Sequence, residues 1–498
     1  MPVPSTSNKK RSKSASLASS VFSIPSYLGH TNRTVGPALE ELQLLNHSVV
    51  ESRDRSDHEL RTAPLLTRGA YLAAGFPGIN SQYGVLGSAL AVYDQAERDV
   101  PDDPRLYLNT NAPFSALVCG VQGSGKSHTV SVLLENMMIA KFPAIGALEK
   151  ALTGLVLHFG EGGPSSRPCE AAWVGVSNFP GVIPPPIRVF VSRSSLQTMR
   201  GVYSALGNNV TVEPLAFSEE ELDAEAFLSM MSVGSSENAP LYIQIILSIL
   251  RDMGETYSFS AFQERLEEHK KNFNPAQLAG LEQRMALLYS FLERDRNARQ
   301  AMAPRFVQGQ LTIIDLSDPF IDPAAACGLF EIVTRLFVRA EVGTGKLLVV
   351  DEAHKYLSAN KGNSGLTKSL LSLIRQQRHL AMRVIISTQE PTVVPAVLLD
   401  LCSVAILHRF ASPAWWEHIA QHVSAHLSAD EAFNHVVTLQ TGEAIVLAPS
   451  ALSMVKDPAM PETNGPSVKM LSQLGRRYIL MKTRKRVTMD GGASILVL

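Results

Sequence analysis

The sequence predicts an α/β fold built on a mostly parallel sheet, with a helical insertion and a disordered N-terminal tail. Three observations predict it. The apolar run Phe114-Ser-Ala-Leu-Val-Cys119 leads directly into Gly120-Val-Gln-Gly-Ser-Gly-Lys-Ser127, which fits the pattern G-x-x-x-x-G-K-[ST], and a helical stretch follows. A second apolar run, Leu347-Leu-Val-Val350, ends in Asp351-Glu352. Between and beyond them, strand-length apolar runs alternate with segments of helical period, as expected for parallel strands joined by helices.

Composition sets the outer bounds. The 498 residues suit about three domains' worth of chain. At 45% hydrophobic and 18% charged, the chain can bury a large core. With a net charge of −1, any nucleic-acid contact has to come from a local basic patch. The cysteines Cys119, Cys169, Cys327 and Cys402 form no CxxC pair and suit buried packing in a reducing compartment. No apolar run approaches the roughly 18 residues of a membrane span, so a soluble protein with no membrane partner is expected.

Residues 1–70 are expected to be tail and linker. No acidic residue precedes Glu40, and nine serines accompany the cluster Lys9-Lys-Arg-Ser-Lys13, a composition that cannot form a core. The cluster fits a nuclear-import signal, an organelle transit segment or a plain solvated tail. Pro2 and Pro4 interrupt an early helix and favour nucleus or cytoplasm over an organelle. Leu42 to Val50 has helical content. In the N-terminal extension, 71–104, a helix is expected from Leu86 to Arg98, then a turn at Val100-Pro-Asp-Asp-Pro104.

The first part of the core, 105–217, starts with a strand or approach loop at 105–110. The run 114–119 follows, then a helix through 138 with Val130, Leu133, Leu134 and Met137 at helical spacing. Strands are expected at 153–159, 187–192 and 210–217, with Pro214 arguing for an edge position or an early end of the last. The insertion, 218–305, is rich in Leu and Met. Asn274-Pro275 opens a helix there, with Leu278, Leu281, Met285, Leu288 and Leu292 forming a stripe that suits the core better than a partner.

The second part of the core, 306–455, carries a strand at 311–316, a helix at 323–338 and the acidic strand end. A helix at 365–379 and strands at 383–389 and 403–407 come next, then a hairpin of 435–440 and 443–448 around Thr441-Gly442. Gly343-Thr-Gly-Lys346 echoes a phosphate loop but precedes a strand, so it is a turn. The C-terminal segment, 456–498, has six positive and no negative charges over 476–486. That stripe suits either a phosphate-backbone contact or an edge strand guarded by Lys and Arg. A last strand is expected at 494–498.

The chemistry follows from residue types and places. Gly120, Gly123 and Gly125 let the backbone curl so that the amides of the loop, through Val121, Gln122 and Ser124 to His128, face phosphate oxygens at a helix N-terminus. Lys126 reaches the β- and γ-phosphates of a nucleoside triphosphate, and the Ser127 hydroxyl takes one position on Mg²⁺. Asp351, at the end of a buried strand, can hold Mg²⁺ through water or through Ser127, and Glu352 is placed to orient and deprotonate the attacking water. Gln389 ends the next strand and can sense the γ-phosphate. Among Arg375, Arg378, Arg383 and Arg409, the pair Arg409 and Arg378 is preferred as a finger reaching a neighbouring subunit's nucleotide.

Taken together, the stretches 120–127, 347–357, 375–391, 407–410 and the late Leu439-Gln-Thr-Gly-Glu-Ala-Ile-Val-Leu447 resemble the HerA–FtsK superfamily of P-loop ATPases over roughly residues 105–450. The resemblance implies a RecA-like core, ATP and Mg²⁺ as cofactors, and a homo-oligomeric, hexameric ring. It implies a motor that translocates DNA or, less often, protein. Asp351-Glu-Ala-His354 also spells the DEAH-box helicase signature, but the following strand ends in Ser387-Thr-Gln389 and no late Q-x-x-G-R motif is present, which rejects that assignment. The alternative is a nucleotide-dependent switch or scaffold that does not translocate nucleic acid.

Overall fold

The structure is a computed structural model describing residues 61–75, 82–94, 97–230, 241–293, 304–357, 365–422, 429–456 and 469–492. Residues 1–60 of the expected tail and linker, the helical content at 42–50 and the last strand at 494–498 lie outside the described residues, whereas 61–70 are no linker: Leu65–Thr67 is a buried strand of the sheet and a helix starts at Arg68. The chain opens with β1 (Leu65–Thr67), α1 (Arg68–Ala73), β2 (Tyr83–Asp94), β3 (Glu97–Asp99) and β4 (Arg105–Asn109). Then come β5 (Ser115–Cys119), α2 (Lys126–Met138), β6 (Gly146–Ala147), β7 (Thr153–His158), β8 (Ile187–Val191), α3 (Leu196–Tyr203) and β9 (Val210–Pro214). The insertion holds α4 (Ala224–Met230), α5 (Leu241–Met253), α6 (Phe259–Lys270) and α7 (Pro275–Ser290). The second half runs β10 (Leu311–Asp315), α8 (Pro323–Arg339), β11 (Lys346–Val350), α9 (Gly365–Gln376), β12 (Met382–Thr388), α10 (Ala396–Leu401) and β13 (Val404–Leu407). It closes with α11 (Pro413–His422), α12 (Ala429–Thr438), β14 (Glu443–Leu447), β15 (Leu452–Lys456), β16 (Lys469–Gln473) and β17 (Tyr478–Thr483).

The pairings put eight parallel strands side by side in the order β9-β8-β10-β7-β11-β12-β5-β13. The sheet then turns antiparallel through β14, β17, β2, β4 and β1. Apart from β9, the parallel strands are buried on both faces, and the two-residue period sorts their side chains. Leu348, Val350, Val384 and Ile386 join α8, α9 and the insertion on one side. Leu347, Val349, Ile385 and Val118 join α2 and the short helix at 170–175 on the other. Among the described strands, β9 pairs only with β8, so the edge expected from Pro214 is present. In α7, Asn274 and Gln277 form a reciprocal capping box, and Leu281, Met285 and Leu288 are buried in the same core as Phe227 and Phe262, so the stripe faces the core.

Three further expectations fail. The helix expected over 86–98 is instead strand, β2 and β3. Its Leu/Ala spacing tolerates a helix, but β17 on one side and β4 on the other supply ladder partners, and tertiary pairing overrides local preference. Gly87 is where the backbones meet: a Cβ there would lie 2.2 Å from the Lys482 carbonyl oxygen. Gly87→Val is therefore expected to destabilise by about 2 kcal/mol through overpacking, seen as a lower thermal midpoint. An unchanged midpoint would contradict this strand pairing.

The hairpin arm expected at 435–440 is the end of α12. Ala432, Val436 and Leu439 are buried at four- and three-residue steps, the helical period. β14 pairs instead with β13 and β17.

The basic C-terminal stripe is no edge strand. β17 is paired on both sides, by β14 and β2. Its cations are largely used internally. Arg477 meets Asp94 at 2.8 Å, Arg484 meets Glu135 at 2.6 Å and Arg486 meets Glu170 at 2.6 Å. Lys482 donates to the Thr441 carbonyl at 2.8 Å. Arg476 and Lys485 are the exposed members.

Candidate active site

The phosphate loop is shaped by the strand before it and the helix after it. β5 ends at Cys119, and α2 begins at Lys126 with Gly125 as N-cap at φ 107°. Gly120 and Gly123 also have positive φ, 154° and 74°. Gly125 is constrained twice, because a Cβ would lie 2.8 Å from the Gly442 backbone. The Gly442 amide donates to the Ser124 carbonyl at 2.9 Å, and the Val121 amide to the Arg409 carbonyl at 3.0 Å. Loop and late strands are thus one unit. His128 bonds the Arg484 carbonyl at 2.8 Å, so its side chain serves the fold. Gln122 and Gly123 are exposed, Val121 and Ser127 half-buried, Ser124 and Lys126 buried.

The acidic strand end meets this loop. β11 is not the immediate neighbour of β5: β12 lies between them. Even so, Lys126 Nζ reaches Glu352 Oε1 at 3.1 Å, with the two side chains 5% and 12% exposed. The intervening strand carries Gln389 to the same point, where its Nε2 donates to Glu352 Oε2 at 2.9 Å. His354 Nε2 stands 3.4 Å from that oxygen, and burial holds its imidazole below the ordinary histidine range. Glu352 itself has φ 49° and ψ 41°, a left-handed conformation that costs a non-glycine residue about 1–2 kcal/mol. Bonds from Lys126 and Gln389 hold it there.

Asp351 is bound from behind. The Asp351 amide donates to the Leu157 carbonyl at 3.0 Å, and Oδ2 lies 3.1 Å from His158 Nδ1. Burial opposes the carboxylate's charge, but His158 and then Lys126 outweigh it and keep Asp351 below the usual range. Burial likewise opposes protonation of His158, and Cys169 and Asp351 outweigh it, so the imidazole is held above the usual range. In the sequence His158 is marked only by its place at the end of a parallel strand, the position where ligands gather in such sheets. Cys169 had no visible signal, because only the fold brings it there.

His408 was passed over as well. It is fully buried beside Gly120, and its Nδ1–H donates to the Glu443 carbonyl at 2.8 Å. Burial pushes its pKa down to about 4, so it stays neutral next to Lys126.

The candidate arginines do not converge. Arg409 is exposed just past β13, at the same end of the sheet as the loop. Arg378 is exposed in the turn before β12, at the opposite end of the sheet. Arg383 is buried and donates to the carbonyls of Thr110, Asn111 and Ala381, which is structural and removes it as a finger.

The donor set fits a magnesium nucleotide. Curled amides, an ammonium and a helix N-terminus suit a triphosphate, and a hydroxyl with a buried carboxylate suits a hard cation. None of the described helices is long and apolar enough to cross a membrane.

No family model and no curated protein matches the chain. Solved structures do. VirB4 of Thermoanaerobacter pseudethanolicus matches at 15% identity, covering 81% of this chain and 96% of that one, with a TM-score of 0.35. The bacterial conjugative coupling protein TrwB matches at 13% identity over 76% of this chain and 87% of that one, with a TM-score of 0.40. The genome packaging NTPase B204 from Sulfolobus turreted icosahedral virus 2, in complex with ATP-gammaS, matches at 17% identity with a TM-score of 0.22. In that case 28% of this chain spans 61% of the other.

Proposed function

We propose that the chain is a Mg²⁺-dependent ATPase of the HerA–FtsK type, acting as a homo-oligomer, a hexameric ring, on DNA. One observation carries the hydrolytic reading: Lys126, Glu352 and Gln389 from three separate elements meet within hydrogen-bonding distance at the end of the phosphate loop. A protein that only bound nucleotide would need the loop but not a carboxylate fixed in a strained conformation beside it.

The loop amides and Lys126 bind the β- and γ-phosphates; Ser127 and Asp351 are the residues that would hold Mg²⁺. The cation supplies charge neutralisation at the phosphates. Glu352 orients the water and takes its proton. A γ-phosphate competes with Glu352 for the Lys126 ammonium, and Gln389 then keeps the carboxylate aligned from its other oxygen. Gln389, on the strand between loop and acids, is placed to report the phosphate's loss. Arg409 is the better placed finger toward a neighbouring subunit, and Arg378 the weaker. The proposed domain scheme is a tail that ends before the β1 strand, an extension from there to 104, the divided core, the insertion at 218–305 and the C-terminal segment.

The DNA substrate rests on the resemblance and receives little help from the C-terminal stripe, whose cations are mostly paired. The test is ATP hydrolysis by the full chain with and without Mg²⁺ and duplex DNA, at low and high salt. Mg²⁺-dependent turnover stimulated by DNA, with stimulation fading as salt rises, is the expected result. No turnover under any condition would end the ATPase reading. Slow turnover indifferent to DNA would select the switch or scaffold.

A further inference from the structure

Behind the nucleotide side of Asp351 lies a second set of ligand atoms. His158 at the end of β7, Cys169 at the start of the short helix 170–175 and Asp351 after β11 offer one nitrogen, one sulfur and one oxygen, all within 4.8 Å of one another. We propose that these three residues form a binding site for a thiophilic divalent cation of the zinc class, sharing Asp351 with the nucleotide's Mg²⁺.

The donor chemistry selects the ion. Sulfur and imidazole with one carboxylate suit Zn²⁺ or Co²⁺, whereas Mg²⁺ prefers an all-oxygen shell. Charge favours loading. A divalent cation bound by thiolate, neutral imidazole and carboxylate gives a neutral cluster, and it displaces two protons: the one on the thiol and the one between His158 and Asp351.

The ligands are held from outside. Tyr203 Oη donates to Asp315 Oδ2 at 2.6 Å and accepts the Cys169 amide at 3.0 Å, which fixes the cysteine backbone. Asp315 is the register partner of His158, so the same tyrosine couples both strands. Tyr356 Oη donates to the Asp351 carbonyl at 2.9 Å. Such outer partners hold ligand geometry in known metal sites. The His158 and Asp351 side chains keep 14% and 12% exposure, while Cys169 is buried. Three protein ligands leave a fourth position for water.

Co²⁺ is the probe, because thiolate coordination gives it a charge-transfer absorbance. Titrating the full-length, nucleotide-free protein with Co²⁺ is expected to give that band at one equivalent, and Zn²⁺ to bleach it. Cys169→Ala is expected to abolish the band, and His158→Ala to weaken binding by about 100-fold or more, with Cys327→Ala unaffected and circular dichroism confirming that each variant is folded. No charge-transfer band in the wild type, or a band that survives Cys169→Ala, overturns the site.

Sharing of Asp351 rests on the ATPase reading. It predicts that Zn²⁺ lowers Mg-ATP turnover about tenfold in the wild type and much less in Cys169→Ala. Equal inhibition of both would overturn the shared ligand. A wild type without turnover would remove the ATPase reading alone, since the Co²⁺ absorbance is read without nucleotide.

Discussion

Glu352→Gln is expected to retain ATP binding and lose about 10²- to 10⁴-fold in turnover, the usual range for a positioned general base. The substitution keeps the shape and one acceptor, so the new amide oxygen still accepts from Lys126 at 3.1 Å, while its NH2 faces Gln389 at 2.9 Å, whose amide turns over to present its oxygen. What disappears is the carboxylate charge proposed to accept a proton from water. Release of radiolabelled phosphate from ATP measures the loss, and equilibrium binding of a fluorescent nucleotide checks that affinity survives. Unchanged turnover removes Glu352 from its role. A loss of binding matching the loss of turnover would instead make the residue part of the loop's architecture.

The largest effect on stability is expected at Glu135, on α2 and far from the acidic pair in sequence. Its side chain is fully buried. It accepts from Arg484 Nη1 at 2.6 Å, from the amides of Val487 and Thr488 at 3.0 and 2.9 Å, and from Thr488 Oγ1 at 2.6 Å. One carboxylate therefore satisfies the chain that follows β17 and fastens it to the helix that carries the phosphate loop. Glu135→Ala leaves Arg484, 12% exposed, without its counter-ion and orphans two amides. Breaking one partner of such a pair costs about 3–5 kcal/mol, a large part of a domain's total stability. Chemical denaturation should show this as a lower midpoint at unchanged slope. The double variant Glu135→Leu with Arg484→Met should recover part of the loss, because no buried charge is left alone. A single variant as stable as wild type would show that the pair is not buried in solution.

Two kinds of information separate along this chain. The loop, the acidic strand end and Gln389 were legible because each combines a residue pattern with a boundary: an apolar run ends and a polar group starts. That geometry is local, since the run forms a strand and the polar residue falls at its tip. Local pattern failed where a segment could satisfy two periods. Residues 86–98 and 435–440 carry apolar spacings compatible with either helix or strand, and their neighbours decided between them. The C-terminal cations misled for a related reason. Charge counted along the sequence says nothing about partners such as Asp94, Glu135 and Glu170, which only folding brings alongside.

By itself the sequence determined that a parallel α/β core would present a phosphate loop and an acidic strand end, because a buried strand and the polar residue that ends it are neighbours in the chain. Tertiary structure alone decided that β12 intervenes between loop and acids and so delivers Gln389 to Glu352. It alone placed His158 and Cys169 behind Asp351. Strand order and through-space contact arise from packing whole surfaces against each other, and no spacing along the chain encodes them.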